Sequence, residues 1–238
     1  MVNENSNSPA SPEEHHLTTA RTARYFTVGA PVAETRTVWF VLHGYAQLAS
    51  RFLRHFDEAI PAGTLVVAPE GLSRFYLEMP RADRGHMARV GAAWMTREDR
   101  LADIADTRGW LDSVYREVID QVVAATNVMP EVAVLAFSQG VATAMRWLAG
   151  GVPKPSRAVM WAGSVADDID VLSLQLALTG TDVVLVAGTD DQFMTEKARR
   201  MLRAQWETFG IAVREVQYDG AHELERSALA ELLKVSRP

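Results

Sequence analysis

Strands alternating with helices from one end of the chain to the other predict an α/β fold: an open, mostly parallel twisted sheet with helices on both faces. Three observations carry this. Unbroken apolar runs at 38–42, 132–137 and 183–187 read as strands buried on both faces, as a parallel sheet requires. Between such runs apolar residues recur at helical spacing, and no internal repeat is visible. The 238 residues suffice for one domain with a full sheet-and-helix core, whereas two would be cramped.

Taken in order, residues 1–18 are rich in Asn, Ser, Pro and Glu and too poor in apolar residues to offset the entropy of ordering, so a disordered tail is expected. His15 and His16 lie there and could touch a metal, but a solvated pair is the expectation in such a segment. Residues 19–238 are expected to form the single domain. A short strand is expected within 22–28, a strong buried one at 38–42, and a helix marked by Phe52, Leu53, Phe56 and Ile60. The strand at 65–68, closed by Pro69, completes a right-handed parallel crossover. Residues 70–96 carry Gly71, Pro80, Gly85 and Gly91 among aromatics and arginines without a clean period. They read as a long loop or small cap overhanging the carboxyl edge of the sheet, where such loops are usually functional.

The longest helix is expected over 96–125, with Leu101, Ile104, Leu111, Val114, Tyr115, Val118, Ile119 and Val122 on one face. Gly109 invites a kink or break in it. Its acidic residues alternate with arginines, Arg100–Asp103 at i,i+3 and Asp112–Arg116 at i,i+4, so they read as a solvated face. Further strands are expected at 158–162, 183–187 and, as an edge strand, 212–218, with helices over 195–209 and across Leu224, Ala228, Leu232 and Leu233.

Composition narrows the chemistry. A net charge of -6 without a basic stripe argues against nucleic acid and anionic membrane surfaces. Zero cysteines exclude disulfides, a thiol nucleophile and thiolate metal sites. No run approaches the roughly 18 apolar residues of a membrane span, and the start lacks the basic-then-apolar order of a signal peptide, so a cytoplasmic protein without integral membrane association is expected.

The decisive stretch is Phe137-Ser138-Gln139-Gly140, at the switch from the 132–137 strand to a helix bearing Val141, Ala144, Met145 and Leu148. A serine in so sharp a turn needs small residues two before and two after it, and Ala136 and Gly140 stand there. The turn lifts the hydroxyl clear of the sheet, and the N–H of Gln139 at the new helix start faces the place where negative charge would gather. A hydroxyl needs a base, and imidazole suits that near neutral pH. Of the six histidines, His222 alone follows the last strand; His43, before a glycine at a strand end, reads as shaping a turn. The orienting acid belongs at a strand end between Ser138 and His222, where Asp190 and Asp191 both qualify and their adjacent side chains diverge. A tetrahedral oxyanion wants two N–H donors, for which Gln139 and the turn after His43-Gly44, through the Tyr45 amide, are the candidates.

Together Leu42-His43-Gly44, Phe137-Ser138-Gln139-Gly140, Gly188-x-x-Asp191 and Gly220-Ala221-His222 resemble the motifs of the phospholipase/carboxylesterase branch of the α/β-hydrolase superfamily, which includes acyl-protein thioesterases. The resemblance spans roughly residues 35–235. It implies an α/β-hydrolase fold, Ser138 as nucleophile, His222 as base, Asp191 rather than Asp190 as the acid, and Tyr45 and Gln139 as oxyanion donors. It also implies an acyl pocket lined by residues such as Trp94, with Met194 where the family has valine. Ala136 and Val141 stand where it usually has glycine, and residues 70–97 are unlike the familiar thioesterases. The expectation is a serine hydrolase of small-molecule carboxylic esters or thioesters working through an acyl-enzyme, with no metal or organic cofactor. The alternatives are hydrolysis of a lactone or amide, or a binding protein on the same scaffold. Arg74, Phe75, Tyr76 and Arg81 are read either as affinity for an anionic or polar substrate end or as cover for the sheet edge.

Overall fold

The computed structural model describes residues 12–57, 59–79 and 88–234. Residues 1–11 of the expected tail, and Pro80, Arg81, Gly85 and His86 of the 70–96 segment, lie outside these. Among the described residues a seven-stranded sheet runs in the order β1-β3-β2-β6-β7-β8-β9. Its strands are β1 Tyr25–Val28, β2 Thr37–Leu42, β3 Thr64–Pro69, β6 Glu131–Phe137, β7 Arg157–Trp161, β8 Asp182–Gly188 and β9 Arg214–Tyr218. All neighbours pair in parallel except β1, which is antiparallel to β3. The central strands are buried along nearly their whole length because helices cover both faces, while the edge strand β9 is mostly exposed.

The helices are α1 Ala49–Phe52, continued by one 3-10 turn Leu53–His55, then α2 Arg100–Thr126, α3 Gln139–Ala149, α4 Val171–Ala177, α5 Glu196–Thr208 and α6 Arg226–Leu233. The helix expected beyond Phe52 is thus only a short turn pair. α2 is unbroken across Gly109, whose missing Cβ faces open space, so the glycine costs propensity without bending the axis. Its buried stripe starts at Thr107; Leu101, assigned to it from periodicity, is 72% exposed. Arg100 turns from Asp103 to Asp167 and Asp168, at 3.1 and 2.8 Å, whereas Arg116 and Asp112 do lie within 4.0 Å. α4 escaped the periodicity reading and is set by its cap, Asp170, which accepts from the amides of Leu172 and Ser173.

α3 packs between α2 and α4 over the middle of the sheet. Trp147 of α3 meets Phe40 of β2 edge-on, ring centroids 5.6 Å apart, and donates its indole N–H to Asp112 of α2 at 2.9 Å. The segment read as a loop has structured arms. β4 Ser73–Tyr76 and β5 Val90–Ala93 form an antiparallel hairpin, and an isolated bridge between Gln47 and Ala92 joins it to the loop after β2. No helix among the described residues is long and apolar enough to cross a membrane.

Candidate active site

The carboxyl ends of β2, β6, β8 and β9 bring the candidate residues to one edge of the sheet. β6 runs into α3 through Ser138, whose backbone sits at φ 53° and ψ -118°. That conformation is strained for a residue with a Cβ, and its neighbours hold it. The Ser138 amide donates to the Trp161 carbonyl at 2.8 Å, and its carbonyl accepts from the Val141 amide at 3.0 Å. A Cβ on Gly140 would stand 2.6 Å from the Leu42 carbonyl oxygen, and one on Gly163 would stand 2.4 Å from that of Ser138. The strands around the turn are therefore too close for larger residues, as the small-residue pattern anticipates.

The Ser138 hydroxyl lies 3.0 Å from Nε2 of His222, and Nδ1 of His222 lies 2.7 Å from Oδ2 of Asp191. The carboxylate is acceptor-only, so Nδ1 carries the proton and Nε2 is left to accept from the serine. Asp191 is fully buried, and its second oxygen accepts from the amides of Phe193 at 2.8 Å and Met194 at 3.0 Å. Of the two aspartates, Asp191 is the one whose carboxylate reaches His222. Asp190 is exposed, and its amide donates to the Gly220 carbonyl at 3.0 Å. The imidazole is packed between the rings of Phe137 and Phe193, centroids 4.9 and 4.8 Å away.

The amides of Tyr45 and Gln139 donate to no acceptor among the described residues. For Gln139, first residue of α3, that is the ordinary state of a helix start. Its side chain instead clamps the segment after β5, accepting from the Trp94 amide at 3.2 Å and donating to the Met95 carbonyl at 3.0 Å. The Tyr45 turn is braced by the Gly44 amide donating to Oε1 of Gln47 at 2.7 Å and by Ala46 donating to the Ala92 carbonyl.

Among solved structures the chain is similar to acyl-protein thioesterase 2 of Zea mays, with TM-score 0.62 and 14% identity over 90% of this chain and 97% of that one. It is also similar to a phospholipase/carboxylesterase of Dyadobacter fermentans, TM-score 0.59 and 15% identity over 91% and 97%. A third is the carboxylesterase of Bacillus cereus, TM-score 0.59 and 15% identity over 88% and 91%. This is the α/β-hydrolase fold. No family model and no curated protein matches the chain.

In this α/β-hydrolase fold a groove of about 750 Å³ opens on Ser138 and His222. Tyr45, Gln139 and Met194 line it, but Trp94 does not; Met95 takes that place. Trp94 is turned into the core, where its indole N–H donates to the His43 carbonyl at 2.7 Å and its ring stacks on the imidazole. Arg74, Phe75 and Tyr76 stand outside the groove as well. Arg74 pairs with the buried Glu70 at 3.4 Å, and Phe75 packs on the Tyr45 ring. Phe193, Met201 and Arg146, which no sequence signal marked, do line the groove. Among the described residues the grouping of metal-ligand type is Glu14, His16 and Asp99, all exposed, in which Nε2 of His16 lies 3.3 Å from Glu14 and 3.0 Å from Asp99.

His43 shapes the turn as expected. It is completely buried; Nδ1–H donates to the Gly44 carbonyl at 2.8 Å, and Nε2 accepts from the Gly71 amide at 3.0 Å. The bond from Gly71 needs the neutral ring, since a protonated Nε2 cannot accept, and burial, outweighing the Gly44 bond, lowers the pKa from 6.5 to about 4. The unfolded chain therefore binds the proton first, and the contribution of His43 to stability, complete above pH 6.5, is lost as pH falls toward 4. Between pH 7 and pH 5 urea unfolding is expected to lose about 2 kcal/mol from this group. The His43→Gln variant, less stable at pH 7, should show a correspondingly shallower pH slope; an unchanged slope assigns the loss elsewhere.

Proposed function

We propose that this protein is a serine hydrolase of carboxylic esters or thioesters that works through an acyl-enzyme. The observation that carries the reading is the continuous hydrogen-bonded relay from the Ser138 hydroxyl through His222 to the buried Asp191. Ser138 Oγ attacks the acyl carbon as His222 Nε2 takes its proton, and Asp191 stabilises the imidazolium. The carbonyl oxygen, now an anion, is held by the Tyr45 and Gln139 amides, which have no other acceptor among the described residues. His222 passes the proton to the leaving alcohol or thiol, and a water activated by the same imidazole cleaves the acyl-enzyme. No step calls for a metal or an organic cofactor. A cytoplasmic setting accords with the cysteine-free chain.

The test is fluorophosphonate labelling of native and heat-denatured protein, with the adduct located by peptide mass spectrometry. An adduct on Ser138 in the folded protein alone is expected. Absence of an adduct, with no turnover of short p-nitrophenyl esters, would favour a binding protein on this scaffold.

A further inference from the structure

The groove runs from Ser138 along α3, whose Gln139, Ala142, Thr143 and Arg146 line it at i, i+3, i+4 and i+7. Ala198, Met201, Leu202 and Gln205 of α5 line it with the same spacing. Along α3 the lining runs from Gln139 to Arg146. Among the described residues Arg146 is the lining side chain with a permanent charge.

Its hydrogen bonding is lopsided. Nε and Nη2 both donate to Oδ1 of Asp168, at 2.8 and 2.7 Å, but the partner of Nη1 is the thioether of Met95 at 3.5 Å, a weak acceptor that itself lines the groove. With the side chain only 12% exposed, water has little access to make up the difference. The charges are also uneven. Asp168 serves two guanidiniums, since Arg100 Nη2 donates to its other oxygen at 2.8 Å. The second acid, Asp167, reaches Arg100 at 3.1 Å and Arg146 at 3.9 Å, but its side chain is 80% exposed and its field is screened by water. The groove lining thus includes a partly buried cation short of a good acceptor, along one helix face from Ser138.

Resting on the serine-esterase reading, we infer that Arg146 is a specificity-determining residue that receives a carboxylate at the far end of the acyl chain, so that the favoured substrates are hemiesters or hemithioesters of dicarboxylic acids. An alkyl end placed there would bury the Nη1 donor against hydrocarbon, whereas a carboxylate supplies the acceptor and the charge. The eight residue steps from Ser138 to Arg146 span about 12 Å of axis, and an arginine side chain on a helix leans back toward the helix start, so a chain of intermediate length bridges serine and guanidinium.

The experiment compares p-nitrophenyl hydrogen suberate with p-nitrophenyl octanoate on one preparation, each corrected for buffer hydrolysis. The ratio of the two kcat/KM values is independent of the fraction folded. In the wild type the hemiester is expected to be favoured by about tenfold or more, the size of one charge-assisted hydrogen bond. Arg146→Gln should bring the ratio to near one through KM, and Arg146→Lys should retain part of the preference. Octanoate turnover with a wild-type ratio at or below one, or a ratio indifferent to Arg146→Gln, overturns this inference and leaves the esterase reading standing. Hydrolysis of neither ester overturns both.

Discussion

Ser138→Ala is expected to lower kcat by on the order of 10⁶, to the level that groove binding and oxyanion donors sustain without a nucleophile. The size follows from the geometry. Ser138 Oγ is the hydroxyl within hydrogen-bonding reach of His222 Nε2, and removing it leaves the imidazole with no proton to take. Alanine keeps the Cβ, so the strained backbone at φ 53° and its amide bond to Trp161 persist. The variant should fold and unfold like the wild type, which circular dichroism and urea titration check. Turnover within about a hundredfold of wild type, measured with a short p-nitrophenyl ester, would refute the role given to Ser138.

Asp191→Asn is expected to cost about 10⁴ in kcat with little change in fold. One Asp191 oxygen already accepts from the Phe193 and Met194 amides, so the asparagine carbonyl must take that place and its NH₂ must face His222 Nδ1. The ring then accepts at Nδ1 and carries its proton on Nε2, where it cannot receive one from Ser138. Asp190→Asn, in an exposed side chain that makes no such contact, should stay within a few-fold of wild type. A reversal of the two variants would mean that the acid is Asp190.

How far these residues announce themselves depends on the range of the physics involved. The buried strands were legible because burial on both faces forces continuous apolar runs such as Val132–Ala133–Val134–Leu135, and the serine turn because steric crowding dictates Gly140 locally. His222 was legible by its place after the last strand. The β4–β5 hairpin was not, since Ser73–Tyr76 and Val90–Ala93 are four residues each, too short to show a period, and pair across a gap in the sequence. Trp94 misled for a related reason: its neighbour Met95 faces the groove, and which of two adjacent side chains turns inward is decided by the His43 carbonyl, 51 residues away. The partners of Arg100 and Arg146 were equally hidden, because Asp168 lies on a different crossover and local spacing pointed to Asp103.

The bridge from Gln47 to Ala92 has a further consequence. The Tyr45 turn is bonded to β5, and Gln139 grips the two residues that follow β5. One short stretch of backbone therefore acts as a common gauge for two amides that arrive from separate crossovers. A change that leaves this stretch in place leaves the spacing of the two amides alone. A side chain at Gly91 would do the opposite: its Cβ would come 2.3 Å from the Ala46 carbonyl oxygen and push the Tyr45 turn aside while Gln139 stayed in place.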